Sequence, residues 1–171
     1  MSRIGDPILP EPLAYFLTWT TYGTWLPGDE RGWVKRERGL QTPNASLRKS
    51  SKGRMSDSIC LLSVAQRHIV EATVADHCQM REWLLHAVNC RSNHVHVVLS
   101  APLAAKMVRN ELKAWCTRAL KAHVGEQSDS TSRRQKWWSE RGSCRVINDE
   151  DSLEAAILYV RDFQSRRKRS S

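Results

Sequence analysis

The feature that most constrains the fold is a pair of apolar, β-branched runs separated by three turn residues. Trp83 to Cys90 (WLLHAVNC) and His94 to Ser100 (HVHVVLS) read as strands, and Arg91-Ser92-Asn93 leaves room only for a tight turn. The two runs therefore predict an antiparallel hairpin. Leu13 to Tyr22 (LAYFLTWTTY) is a further strand by the same signals, and Ser143 to Asn148 (SCRVIN) is the fourth.

Helical spacing fills the intervals. From Ile59 to about His77, the residues Leu61, Val64, Ala65, His68, Ile69 and Ala72 share one face, with Ser58 or Asp57 available as a cap. Lys106 to His123 is amphipathic: Val108, Leu112, Trp115 and Ala119 form its apolar stripe. Asp149 to Asp151 place acidic groups at the start of a last helix, whose buried side is Leu153, Ala156, Ile157 and Val160. The order strand, helix, strand, strand, helix, strand, helix predicts an α+β fold. It is a ferredoxin-like sandwich, one antiparallel sheet covered by helices, in a single domain over residues 1–165. Two segments stand apart. Gly23 to Ser58 is rich in Gly, Pro and basic residues and reads as a long irregular excursion or insertion, with Trp25 and Trp33 docking part of it. Residues 166–171 form a basic tail.

Charge narrows the partner. Lys and Arg number 27 against 18 Asp and Glu, a net charge of +9 with an isoelectric point near 9.7. Such an excess suits a polyanion, usually nucleic acid. No apolar run approaches the roughly 18–20 residues of a membrane span. Nor does the start carry the apolar core of a secretion signal. The expectation is a cytoplasmic, nucleoid-associated protein with no membrane partner. Cys60, Cys78, Cys90, Cys116 and Cys144 are widely spaced, lack a C-x-x-C pair, and read mostly as small core residues.

The chemistry-bearing candidates are few. In a strand, residues two apart share a face, so His94 and His96 project together, about 6.5–7 Å apart at the backbone. Two imidazoles so placed either converge on one divalent ion or serve separately, one in the core and one at the surface. Tyr159 falls at the edge of the last helix's apolar stripe. It is either a packing residue or a phenol partly exposed over the sheet. Lys106, Arg109, Lys113 and Lys121 line one side of the long helix, as a solvated face or as a phosphate track. Trp25, Trp33, Trp137 and Trp138 are candidates for stacking on unpaired bases, although most tryptophans are core.

Taken together, YFLTWTTY, HAVNCRSNHVHVVLS, the basic helix and WWSERGSCRVINDEDSLEAAILYVRDFQ resemble the single-tyrosine HUH transposases of insertion sequences and their REP-associated relatives. His94-Val95-His96 is the His-hydrophobic-His element, Asn93 precedes it as in the family's usual run, and Tyr159 sits where the family's last helix carries its nucleophile. The resemblance covers most of residues 13–164 outside the excursion.

It implies a metal-dependent single-stranded DNA endonuclease and strand transferase acting in DNA transposition. His94 and His96 would bind Mg²⁺ or Mn²⁺, and Tyr159 would form a 5′-phosphotyrosine and release a 3′-hydroxyl. The implied partner is single-stranded DNA with a hairpin or imperfect palindrome, handled by a homodimer or a monomer. In many members a third ligand, Gln or Asn, lies four residues after the tyrosine. Phe163 stands there in this chain and cannot ligate. Gln164, one residue later, is the substitute the resemblance favours, and Asp162 is the alternative oxygen donor. A histidine-triad hydrolase would need a histidine where Val98 stands. The nonenzymatic alternative is an inactive or domesticated ferredoxin-like nucleic-acid-binding protein.

Overall fold

The structure is a computed structural model that describes residues 11–35, 37–127 and 134–162. Ten elements follow in order: β1 (Ala14–Thr20), β2 (Trp33–Lys35), β3 (Gly39–Gln41), α1 (Ala45–Gly53), α2 (Val64–Met80), β4 (Leu84–Cys90), β5 (His94–Ser100), α3 (Ala105–Gln127), β6 (Ser143–Ile147) and α4 (Glu150–Asp162). The main sheet has the order β4-β5-β1-β6 with every neighbour antiparallel. Counting only its strands, that is the second, third, first and fourth, the split βαβ arrangement of the ferredoxin-like fold.

Alternation along the strands builds two different faces. Tyr15, Leu17 and Trp19 of β1 join Val95, Val97 and Leu99 of β5 on one face, where α2 and α3 cover them with Val70, Val74, Cys78, Val108, Leu112, Cys116 and Leu120. On the opposite face Ala14, Ala87, Val98 and Ile147 meet Ala156 and Val160 of α4. Val160 is fully buried, and removing its side chain from water stabilises the docked helix by about 2 kcal/mol. Leu153 and Ile157 pack at the edge of this smaller cluster, so the predicted buried side of the last helix is the one observed. Asp149 caps α4: its Oδ1 accepts from the Ser152 backbone N–H at 2.7 Å.

Three expectations change. The helix placed from Ile59 begins instead at Val64. Cys60 N–H donates to the Tyr22 carbonyl (2.9 Å) and Leu62 N–H to the Ser92 carbonyl (2.8 Å), so this backbone is tied to the sheet end and unavailable for helix bonds. Its cap is Ser63, not Ser58 or Asp57, in a reciprocal capping box with Gln66. On α3 the buried stripe runs through Cys116 and Leu120, and Trp115 remains 38% exposed. The excursion after β1 is not irregular throughout: β2 and β3 form a two-stranded ribbon, and Asn44 caps α1 by accepting from Leu47 N–H. Strands of three residues are too short to show a period in sequence, which is why they were invisible there. Of the cysteines, all but Cys144 are buried. Among the described residues no helix is long and apolar enough to cross a membrane. The tail at 166–171 and Gln164 lie outside the described residues.

Candidate active site

The site lies on the α4 face of the sheet, in a row of side chains running across all four strands. Register pairs Ser143 with Thr18, Thr18 with His96 and His96 with Asn89. Asn89 reaches this row because β4 carries a one-residue bulge: Leu85 pairs with Leu99, but Ala87 already pairs with Val98. Were His86 itself paired with Val98 in an unbroken ladder, Asn89 would fall opposite Val95 and on the other face.

The two histidines share this face, as their spacing predicts, and their ring centroids are 4.7 Å apart in an edge-on arrangement. Each ring is oriented through Nδ1. His94 Nδ1 donates to the Asn93 side-chain oxygen at 2.6 Å, since an amide oxygen only accepts. His96 Nδ1 is hydrogen-bonded to Thr18 Oγ1 at 2.9 Å. His96 is only 8% exposed. Burial, reinforced by the neighbouring His94 and Arg91, pushes its pKa down to about 4, so the ring is neutral at physiological pH.

α4 brings Tyr159 beside the His96 ring. Its ring centroid lies 5.8 Å from that of His96 and 6.0 Å from that of Phe16, both edge-on, and Phe16 in turn sits 5.5 Å from His96. The phenol is 48% exposed, which leaves it accessible from solvent while one edge rests on the sheet. His96 and Tyr159, 63 positions apart in the chain, thus meet at one spot. Helix position is fixed at the neighbouring residue, where Asn89 Nδ2 donates to the Val160 carbonyl at 2.9 Å. Arg145 of β6 holds its guanidinium 5.2 Å from the Phe16 ring centroid, adding a cation beside the cluster.

The residues present suit a divalent ion. Two imidazoles on one strand face, one of them held neutral by burial, each with Nδ1 anchored by an oxygen, supply two oriented donors of the kind such a site uses. Among the described residues no third His, Cys, Asp or Glu completes a cluster with them, so Asp162 is not gathered with the pair. Thr18, Asn89 and Arg145 were not singled out from sequence. Their signal is the register, which alternation within one strand cannot supply.

The basic side of α3 divides in two. Lys106 and Lys121 are exposed. Arg109 is 6% exposed and donates to the Gly142 carbonyl at 2.8 Å, while Lys113 Nζ donates to the Ser139 carbonyl at 2.6 Å. These two cations hold down the segment that leads into β6. Desolvation, with nearby Arg109, lowers the Lys113 pKa to about 8. The aromatic candidates divide likewise. Trp137 is buried, and Trp138 packs edge-on against Trp19 while its Nε1 donates to Thr117 Oγ1 at 3.0 Å. Trp25 is 44% exposed beside Arg31.

No family model matches the sequence, and no curated protein is similar to it. Solved structures do match. A REP-associated tyrosine transposase bound to a REP hairpin aligns with a TM-score of 0.53 at 12% identity, over 98% of this chain and 74% of that one. A proposed transposase from Deinococcus radiodurans R1 aligns with a TM-score of 0.42 at 15% identity, over 94% of this chain and 97% of that one. At such identity the first likeness establishes architecture: this chain has the fold of a REP-associated tyrosine transposase.

Proposed function

We propose that this protein is a transposase that nicks and rejoins single-stranded DNA through Tyr159, assisted by a divalent metal held by His94 and His96. The observation that carries the proposal is the convergence of the Tyr159 ring, 5.8 Å from His96, with a histidine pair whose own rings are 4.7 Å apart. The transposase fold and the basic charge of +9 support it. Because the related structure holds a REP hairpin, we take the substrate to be single-stranded DNA that folds into a hairpin or imperfect palindrome.

The chain's own residues divide the work. Tyr159 Oη attacks the phosphorus, a new bond forms to the phenolic oxygen, and the 3′ oxygen leaves with the electron pair of the broken bond. The phenol gives up its proton to solvent as the bond forms, the departing 3′ oxygen takes one up from solvent to become a 3′-hydroxyl, and the strand end left on the enzyme is a 5′-phosphotyrosine. Phosphodiester energy is kept in that linkage, so attack by a 3′-hydroxyl rejoins DNA without a nucleotide cofactor. Mg²⁺ or Mn²⁺, when bound, polarises the scissile phosphate and offsets the charge that develops on it. His94 and His96 on β5 would hold it, with Gln164 as the proposed third ligand. Thr18 and Asn93 keep the imidazoles aimed, Asn89 keeps α4 over them, and Arg145 offers a cation to the substrate phosphate. Of the four basic candidates on α3, Lys106 and Lys121 are exposed and remain for tracking the DNA backbone.

Incubation with a single-stranded hairpin oligonucleotide and Mn²⁺ yields an SDS-resistant protein–DNA adduct on this reading. Tyr159→Phe and His96→Ala abolish it. Full-strength adduct from Tyr159→Phe overturns the assignment. Hairpin binding without any adduct from the unaltered protein favours the inactive, DNA-binding alternative.

A further inference from the structure

The segment between β1 and α2 is a small module with an unusual balance of forces. It leaves the sheet just after Thr20, the register partner of His94, and returns where Cys60 N–H meets the Tyr22 carbonyl. Both its ends therefore lie at the end of the sheet that carries His94.

No apolar side chain of residues 24–55 is buried among the described residues; only Gly28, Asp29 and Gly32 are. Polar staples hold the shape. Arg31 donates from Nε and Nη2 to the two Asp29 carboxylate oxygens at 2.7 and 2.9 Å. Trp25 Nε1 donates to the Gly32 carbonyl at 2.7 Å, and Asn44 N–H to the Gly28 carbonyl at 3.0 Å. At Gly28, with φ of +88°, a Cβ would fall 2.3 Å from the Asn44 carbonyl oxygen, so the turn before the ribbon touches the start of α1 there.

Meanwhile Val34 and Leu40 form a cross-strand pair on one face of the ribbon and are 65% and 74% exposed. The same 32 residues hold eight Lys and Arg against three acids, more than half of the chain's net +9. Asp29 is taken by Arg31, and Glu30 lies 3.8 Å from Arg48. Lys35, Arg38, Lys49 and Lys52 are exposed and have no ion-pair partner among the described residues. A preformed, coreless, strongly cationic element with bare aliphatic side chains is built to be covered by a polyanion that also presents apolar surface. A two-stranded ribbon is also the right width for the major groove of B-DNA.

We infer that the β2–β3 ribbon and α1 form a second DNA grip that takes duplex DNA, namely the stem of a hairpin, beside the His94 end of the sheet. The inference rests on the proposed action on hairpin DNA and assigns the stem to this module, leaving the single strand to the site on β5 and α4. Lys35 and Arg38 at the ribbon tip and Lys49 and Lys52 on α1 neutralise backbone phosphates, while Val34 and Leu40 face the groove.

The test uses the full chain and two labelled probes: a hairpin with a single-stranded flank, and the flank alone. Binding is measured across a KCl series for the unaltered protein and for Lys35→Ala/Arg38→Ala/Lys49→Ala/Lys52→Ala. Lys49→Glu/Lys52→Glu serves as a second variant on α1 alone, with circular dichroism as the check on folding. Each lost duplex phosphate contact lowers the slope of log K against log salt by about 0.9, so the quadruple variant loses about 2 to 4 on the hairpin. Its binding to the flank, and its adduct yield on the flank, stay as in the unaltered protein. An unchanged hairpin slope, or equal losses on hairpin and flank, overturns the inference. A slope change without any adduct from the unaltered protein leaves the grip standing and removes the enzymatic reading instead.

Discussion

Thr18→Val probes the part of the site that orients His96. Valine keeps the branched shape and β preference of threonine but removes the hydroxyl bonded to His96 Nδ1 at 2.9 Å. The ring is 8% exposed, so water does not readily replace that partner, and leaving a buried nitrogen without it costs about 1–3 kcal/mol. Part of the cost is relieved if the imidazole turns, and turning is what metal binding cannot tolerate. Loss of such an outer partner typically weakens metal affinity about 10- to 100-fold, or roughly 1.4–2.7 kcal/mol. Calorimetric titration of Mn²⁺ into the two proteins reads this directly, and adduct yield as a function of Mn²⁺ reads its consequence. The midpoint shifts to higher Mn²⁺ in Thr18→Val, while yield at saturation recovers. Identical Mn²⁺ affinity in both proteins would refute the reasoning that the Thr18 hydroxyl sets the ligand.

Other outcomes follow from the same geometry. Asn89→Ala frees α4 at the Val160 carbonyl. It lowers the adduct rate by about tenfold, with a stability loss in urea of about 1 kcal/mol because an Oδ1 with no partner among the described residues is removed along with the useful bond. Arg109→Met and Lys113→Met each destabilise the fold by about 1–3 kcal/mol in urea through their lost carbonyl contacts, with the salt dependence of DNA binding unchanged. Lys121→Ala does the reverse, lowering the single-strand salt slope by about 0.7 with no change in stability. Asp29 is held at about 2 by the Arg31 hydrogen bonds. Because folding lowers this pKa, its contribution is present above the ordinary carboxylate range and fades as pH falls from about 4 towards 2. The advantage of the unaltered protein over Asp29→Asn, about 1–2 kcal/mol at pH 6 once the exposure of Arg31 is discounted, therefore closes by pH 2 in urea denaturation.

The sequence and the structure agree where signals are periodic and long. Strands β4 and β5, the split βαβ order and the buried side of α4 all follow from alternation or 3.6-residue spacing, and His94 and His96 share a face for the same reason. What was not legible depends on partners far along the chain. Asn89 enters the site through a bulge at His86, a register event that β4 alone does not announce. Arg109 and Lys113 lie on the basic side of their helix by spacing, yet the carbonyls of Gly142 and Ser139, 33 and 26 residues on, turn them into structural anchors. The start of α2 was misplaced because apolar Leu61 sits at helical spacing while the backbone at Cys60 and Leu62 is claimed by the sheet end. The ribbon module was hidden for a different reason. It has no buried apolar stripe, so the periodicity that reveals other elements is absent from it.

The most direct test of the account is mass mapping of the trypsin-digested DNA adduct formed with Mn²⁺. Cleavage after Arg145 and Arg161 releases residues 146–161, in which Tyr159 is the only tyrosine, whereas Tyr15 and Tyr22 fall together in residues 4–31. The account predicts the added nucleotide mass on residues 146–161, dependent on both His94 and His96. Nucleotide mass on residues 4–31, or on 146–161 in a protein lacking both histidines, contradicts it.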